Sequence, residues 1–96
     1  MNFEWDHAPA VEVRKQTCTY TAEDPERASR FVNGLEAVKA KILRNPETPR
    51  EFEAGYRKMR MDSFPFTLIY TIEGKTIWVV AFVHNSRHQD YWKRNS

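Results

Sequence analysis

The sequence predicts an α+β domain with elements in the order β-α-α-β-β-β, a helical hairpin packed on one face of a small antiparallel sheet. Three observations lead there. Apolar residues recur every three or four positions between Ala10 and Ile42, the period falls to two after Gly55, and Pro, Asp, Asn and Gly punctuate the intervals. With 96 residues, the chain is expected to form one domain, 1–96, long enough to bury a core without metal or disulfide staples.

Asn2–Trp5 alternates polar and apolar side chains, as a short edge strand does. Asp6 then offers a helix cap, and Pro9 falls in the first turn that follows. Ala10, Val13, Thr17 and Tyr20 lie on one weakly apolar stripe of a helix predicted to run to about Ala22. Asp24 and Pro25 start a second helix as its cap and first residue. Its stripe is stronger: Ala28, Phe31, Leu35, Val38 and Ile42 share one side, and most of the cations stand off it. Two such helices joined by so short a turn are expected to fold back on each other. Asn45-Pro46 ends the second helix, and residues 46–55 read as a loop.

From Tyr56 to Met61 the chain alternates as a strand, with Tyr56, Lys58 and Arg60 on one face and Arg57, Met59 and Met61 on the other. Asp62-Ser63 turns the chain into Phe66–Ile72, and Glu73-Gly74-Lys75 turns it again into Thr76–His84. That last run is almost wholly apolar, which predicts a central strand buried on both faces. Asn85–Ser96 reads as a short closing helix or an ordered tail. The predicted core is Phe31, Leu35, Val38, Ile42, Leu68, Tyr70, Val79 and Ala81, and Leu35→Ala is expected to cost about 2 to 5 kcal/mol. No helix remains for the second face of the sheet, which is expected to meet a partner.

The net charge of +2 conceals an asymmetry. Residues 1–55 hold eight Lys/Arg against ten Asp/Glu, whereas residues 56–96 hold seven against three. A basic C-terminal part suits an anionic surface, either nucleic acid or an acidic protein, and is also an ordinary solvated surface. One cysteine, Cys18, cannot form an internal bridge, so a reducing, cytoplasmic setting is expected. No apolar run approaches the ~18 residues of a membrane span, and no membrane association is expected.

His84 and His88 are four residues apart but lack the Glu of a His-Glu-x-x-His site, so no metal is expected. Phosphate-binding glycine loops and Ser/His/Asp or Cys/His nucleophile patterns are missing, and no cofactor is called for. The candidate chemistry lies in Tyr56, Lys58 and Arg60, together with His84, Arg87, His88, Tyr91 and Trp92 if the last strand ends near the first strand of the meander. Cations neutralise phosphates and aromatics stack on bases, which is the mixture of an RNA-handling surface. The same residues also read as a solvated strand face and a tail anchored by Tyr91-Trp92.

The whole chain resembles the RelE/ParE family of type II toxin–antitoxin toxins. The resemblance rests on the opening strand and helix, Pro25-Glu26-Arg27-Ala28 with Arg30-Phe31, Asn45-Pro46, Tyr56-Arg57, Phe64-Pro65-Phe66 and Ile69-Tyr70. It ends on Ala81-Phe82-Val83-His84 with Arg87 and Tyr91-Trp92, and spans about 85 residues in order. It implies a RelE/ParE-like fold in a small cytoplasmic toxin that inhibits growth and is held inactive by a cognate antitoxin encoded beside it. Members that cleave mRNA on the ribosome use basic residues on the first meander strand, an arginine on the next, and an arginine and tyrosine near the C-terminus. Lys58 and Arg60 match the first group and Arg87 and Tyr91 the last, but the middle arginine falls at Thr67. For a nuclease the resemblance implies Arg87 at the scissile phosphate, Lys58 and Arg60 positioning RNA, and Tyr91 or His84 moving a proton. ParE-like members are associated with DNA gyrase instead, and Thr67 favours that branch, in which Lys58, Arg60, Arg87, His88 and Trp92 serve to bind the target. A non-toxic antitoxin-binding module is the third reading.

Overall fold

In the computed structural model, which describes residues 1–86, the elements are β1 (Asn2–Trp5), α1 (His7–Glu23), α2 (Pro25–Arg44), β2 (Arg57–Arg60), β3 (Phe66–Glu73) and β4 (Thr76–His84). The predicted order is borne out. Each helix end has a local cause. Asp24 accepts a hydrogen bond from the Glu26 backbone N–H at 3.1 Å, and Pro25 opens α2 where a missing N–H costs nothing. Asp6 occupies the cap position of α1 without the expected side-chain bond. Its backbone is held instead, donating to the Val79 carbonyl at 2.9 Å and accepting from Ala10 at 3.2 Å.

α1 is only weakly two-sided, since few of its residues are buried, and its threonine hydroxyls bond within the helix. Thr17, Thr19 and Thr21 each donate to the carbonyl four residues earlier, on Val13, Lys15 and Thr17. Pro9 and Tyr20 are its buried anchors. α2 buries Ala28, Phe31, Val38 and Ile42, one side of the helix, as its spacing predicts. Leu35 is only half-buried, packed at the margin of the core.

The sheet has the order β1-β4-β3-β2. β2, β3 and β4 form the predicted antiparallel meander, and β1 adds to β4 in parallel, with Phe3 beside Ile77 and Trp5 beside Val79. That register turns Phe3 and Trp5 toward the helices. Both helices cover this one face, over a core that includes Phe31, Ile42, Leu68, Tyr70, Ile77 and Val79. β2 is shorter than its alternation implies. Tyr56 is drawn into a tight turn by a bond to the Glu53 carbonyl, and Met61 closes the next turn by donating to Phe66.

β4 departs from the expected two-sided burial. It alternates between buried and half-buried residues from Ile77 to Val80. Opposite β3, Ile69 pairs with Ala81 and Tyr70 with Val79, which leaves Val80 as the extra residue of a bulge. Side chains alternate by two along a strand, so one extra residue exchanges the faces. Ile77 and Val79 therefore face the helices, Phe82 does so beyond the bulge, and Ala81 joins Ile69 in a small cluster apart from the main core. The expectation that Ala81 sits in the helix-covered core fails for this reason.

The loop 45–56 is tied down by Tyr70 and Arg57. The Tyr70 hydroxyl donates to the Pro46 carbonyl at 2.7 Å, and Arg57 Nε donates to Pro49 at 2.8 Å. Gly55 takes φ 84, where its N–H reaches Glu51 Oε1 at 2.7 Å. Burial pushes the Tyr70 phenol above its ordinary value of 10.0, against the opposing pull of Arg57. The folded state thus holds this proton more tightly than the unfolded chain, so its contribution is complete below about pH 10 and falls as the pH rises through the folded value. Tyr70→Phe is expected to cost about 1 kcal/mol at neutral pH. Urea melts at pH 8 and pH 11 are expected to show a smaller alkaline loss for the variant than for the parent.

Candidate functional site

The face of the sheet turned away from the helices carries the candidate residues. Lys58 and Arg60 leave the exposed side of β2, because Met59 between them points to the core. The cross-strand register continues each of them. Lys58 pairs with Ile69 and then Ala81; Arg60 pairs with Thr67 and then Val83. Phe52, Tyr56, Val80 and Val83 pack against Ile69 and Ala81. The Lys58 ammonium lies 5.2 Å from the Phe52 ring centroid, a cation–π distance. Among the described residues neither Lys58 nor Arg60 makes an ion pair, and both lie on the exposed side of the strand.

Thr67 stands between these cations and β4. It is 7% exposed and its hydroxyl donates to Asn85 Oδ1 at 2.5 Å. That bond joins the start of β3 to the turn after β4, where the Asn85 N–H also donates to the Pro65 carbonyl at 2.8 Å. A guanidinium at position 67 would break the Asn85 bond and bury a second cation beside Arg60. Thr67→Arg is therefore expected to destabilise the fold by about 1 to 3 kcal/mol. A midpoint in urea within 0.2 M of the parent would show that the position accepts the larger side chain.

His84 is not assembled with Lys58 and Arg60. It pairs in register with Phe66, on the helix side of the sheet, and the two rings meet edge to face at 5.3 Å. β3 lies between β4 and β2, so the condition for grouping these residues, a last strand that ends beside the first strand of the meander, is not met. The bulge at Val80 is the further cause: unbroken alternation would send His84 to the same face as the two cations. Its Nδ1 accepts the Ser86 N–H at 3.1 Å and lies 2.7 Å from the Ser86 hydroxyl. In the neutral ring this places the proton on Nε2 and leaves no free acceptor nitrogen. Arg87, His88, Tyr91 and Trp92 lie outside the described residues.

Asn85 is a residue that sequence reading overlooked. The signal was slight, an amide just beyond the last strand, and its partner Thr67 is 18 positions away. Arg57, which strand alternation places with Met59 and Met61, is half-buried and clamps the preceding loop through Pro49 and Glu51, a role its spacing does not signal. Among the described residues no group of three or more His, Cys, Asp or Glu could hold a metal ion. No helix among them is long and apolar enough to cross a membrane. Chemically, the face offers two outward cations, aromatic rings and a committed hydroxyl, groups whose chemistry is complementary to an anionic or mixed surface.

The chain is similar to known proteins in sequence family and in fold. The family model for the ParE toxin of the type II toxin–antitoxin system parDE matches residues 7–89. No curated protein matches the chain. A solved structure of the chromosomal ParDE TA system from P. aeruginosa superposes with a TM-score of 0.70 at 21% identity, covering 88% of this chain and 95% of that one. At that identity the structural likeness speaks for the fold, and it is the fold derived above. The family match extends over most of the chain, from the start of α1 past the end of β4, and on it the chain belongs to the ParE toxin family of type II toxin–antitoxin systems.

Proposed function

We propose that this chain is a growth-inhibiting toxin that acts on DNA gyrase and is neutralised by a cognate antitoxin encoded beside it. Lys58 and Arg60 engage the target, together with Arg87, His88 and Trp92 of the tail. The observation that carries the choice of target is Thr67. At the position where a nuclease of this fold family would need a cation, the side chain is buried and bound to Asn85. Charge building up on a phosphorane is countered by a cation placed against it, and a hydroxyl already donating elsewhere supplies none. His84 supports the same reading, because it lies across the sheet from the cations with Nδ1 engaged.

The alternative is ribosome-dependent mRNA cleavage, with Arg87 at the phosphate and Tyr91 or His84 moving the proton. Two assays on the purified protein separate the readings. Gyrase-mediated supercoiling is expected to be inhibited with accumulation of broken DNA, and mRNA on programmed ribosomes is expected to stay intact. Cleaved mRNA with undisturbed gyrase would reverse the assignment. Separate elution of the toxin and the neighbouring gene product after co-expression would remove the antitoxin from the proposal.

A further inference from the structure

Between α2 and the turn that joins β2 to β3 lies an open groove of about 440 Å³. Its base is shallow in side chains because Gly34 and Ala37, one turn apart, present little bulk; a Cβ on Gly34 would come within 3.0 Å of the Met61 methyl. Its far wall is Ser63 and Phe64. That wall is held in place. Lys41 bridges to Asp62 at 3.0 Å, and the Phe64 ring packs on Phe31 and Tyr20 at centroid distances of 5.3 and 5.6 Å. The groove is therefore formed before anything enters it.

Its charge is one-sided. Arg27 and Arg30 line the N-terminal half. Asp62, the carboxylate of the lining, is already neutralised by Lys41. Arg27 is oriented by the Tyr20 ring, 4.4 Å below its guanidinium, and makes only a long, exposed ion pair with Glu23 at 3.9 Å. Arg30 makes no ion pair among the described residues. From Arg27 to Ala37 the lining runs along ten residues of helix, about 15 Å at 1.5 Å per residue. That length fits four or five residues of extended chain at ~3.3 Å each.

We propose that this groove seats an acidic segment of the antitoxin, with an Asp or Glu carboxylate paired to Arg30 and Arg27 and an adjacent apolar side chain against Ala37 and Phe64. The proposal rests on the toxin–antitoxin reading above and adds to it the surface and the chemistry of the contact. A guanidinium takes a carboxylate through two parallel N–H···O bonds, which sets register as well as affinity. The exposed cations of β2 lie on the other side of the molecule, so this contact leaves them accessible.

The test uses the full chain and the intact product of the neighbouring reading frame, with affinity read by titration calorimetry. Arg30→Glu and Ala37→Trp, both at exposed positions, are each expected to weaken binding at least 30-fold, while Lys75→Ala, at an exposed turn position, changes it less than threefold. Melting curves establish that each variant is folded. Replacing the antitoxin's Asp and Glu residues by Arg one at a time is expected to find one that restores binding to Arg30→Glu. Parent-like affinity for both groove variants overturns the groove and leaves the antitoxin reading standing. Weakening without rescue at any acidic position overturns the carboxylate pairing. A neighbouring protein that fails to bind the parent chain overturns both readings.

Discussion

Phe31→Ala is expected to lower the folding free energy by about 4 kcal/mol, a large share of the 5 to 15 kcal/mol that holds a small domain together. Phe31 is fully buried where both helices meet the sheet. Its ring meets Tyr20, Phe64, Phe66 and Phe82 at centroid distances of 5.2, 5.3, 5.9 and 6.1 Å, all near edge to face. Each such pair adds roughly 0.5 to 1.5 kcal/mol to the area it buries. Truncation removes four of them at once and leaves a cavity that a well-packed neighbourhood cannot collapse. Leu35→Ala is the comparison. Sequence periodicity ranks it with Phe31, but a half-buried side chain surrenders less contact, and its cost is expected to fall to about 1 to 2 kcal/mol. Urea titration of both variants checks this, with a lower midpoint at unchanged slope for each. Equal midpoints for the two would mean that the centre of the core has been misplaced.

On the proposed gyrase reading, Lys58→Glu combined with Arg60→Glu is expected to raise the concentration needed to inhibit gyrase about 100-fold, without unfolding the protein. Both side chains are exposed on β2 and neither makes an ion pair among the described residues. Among the described residues the intramolecular loss is the contact of Lys58 with the Phe52 ring, worth about 0.5 to 1 kcal/mol. Reversing two outward charges changes an attraction for an anionic or acidic surface into a repulsion. The inhibition by the parent is expected to weaken as salt rises from 50 to 300 mM, since exposed charges are screened over about 10 Å at 0.1 M. A double variant that inhibits as well as the parent would exclude this face from target binding.

The order of the elements and most of their limits were determined locally. Asp24 and Pro25 specify the start of α2 through the few backbone groups beside them. The 28-31-35-38-42 spacing selects a buried side, and Asn45-Pro46 ends the run. These signals act over one or two helical turns, so neighbours in the chain suffice to express them. The alternation of Lys58, Met59 and Arg60 likewise determined that the two cations share a face. The association of β1 with β4 is different in kind. It joins residues more than 70 positions apart in parallel, and strand alternation states which faces exist but not which strand lies alongside.

Only the tertiary structure decided how the candidate residues meet. The bulge at Val80 arises because β3 and β4 must pair over unequal stretches, and no residue type in that apolar run marks it. One extra residue moves Ala81 out of the helix-covered core and places His84 behind the sheet from Lys58 and Arg60. The bond from Thr67 to Asn85 is invisible for the same reason, since two ordinary polar residues become partners only when the strands bring them within 2.5 Å. Local sequence thus determined which surfaces this chain has, whereas non-local pairing, in which one added residue inverts every later side chain, decided which groups share them.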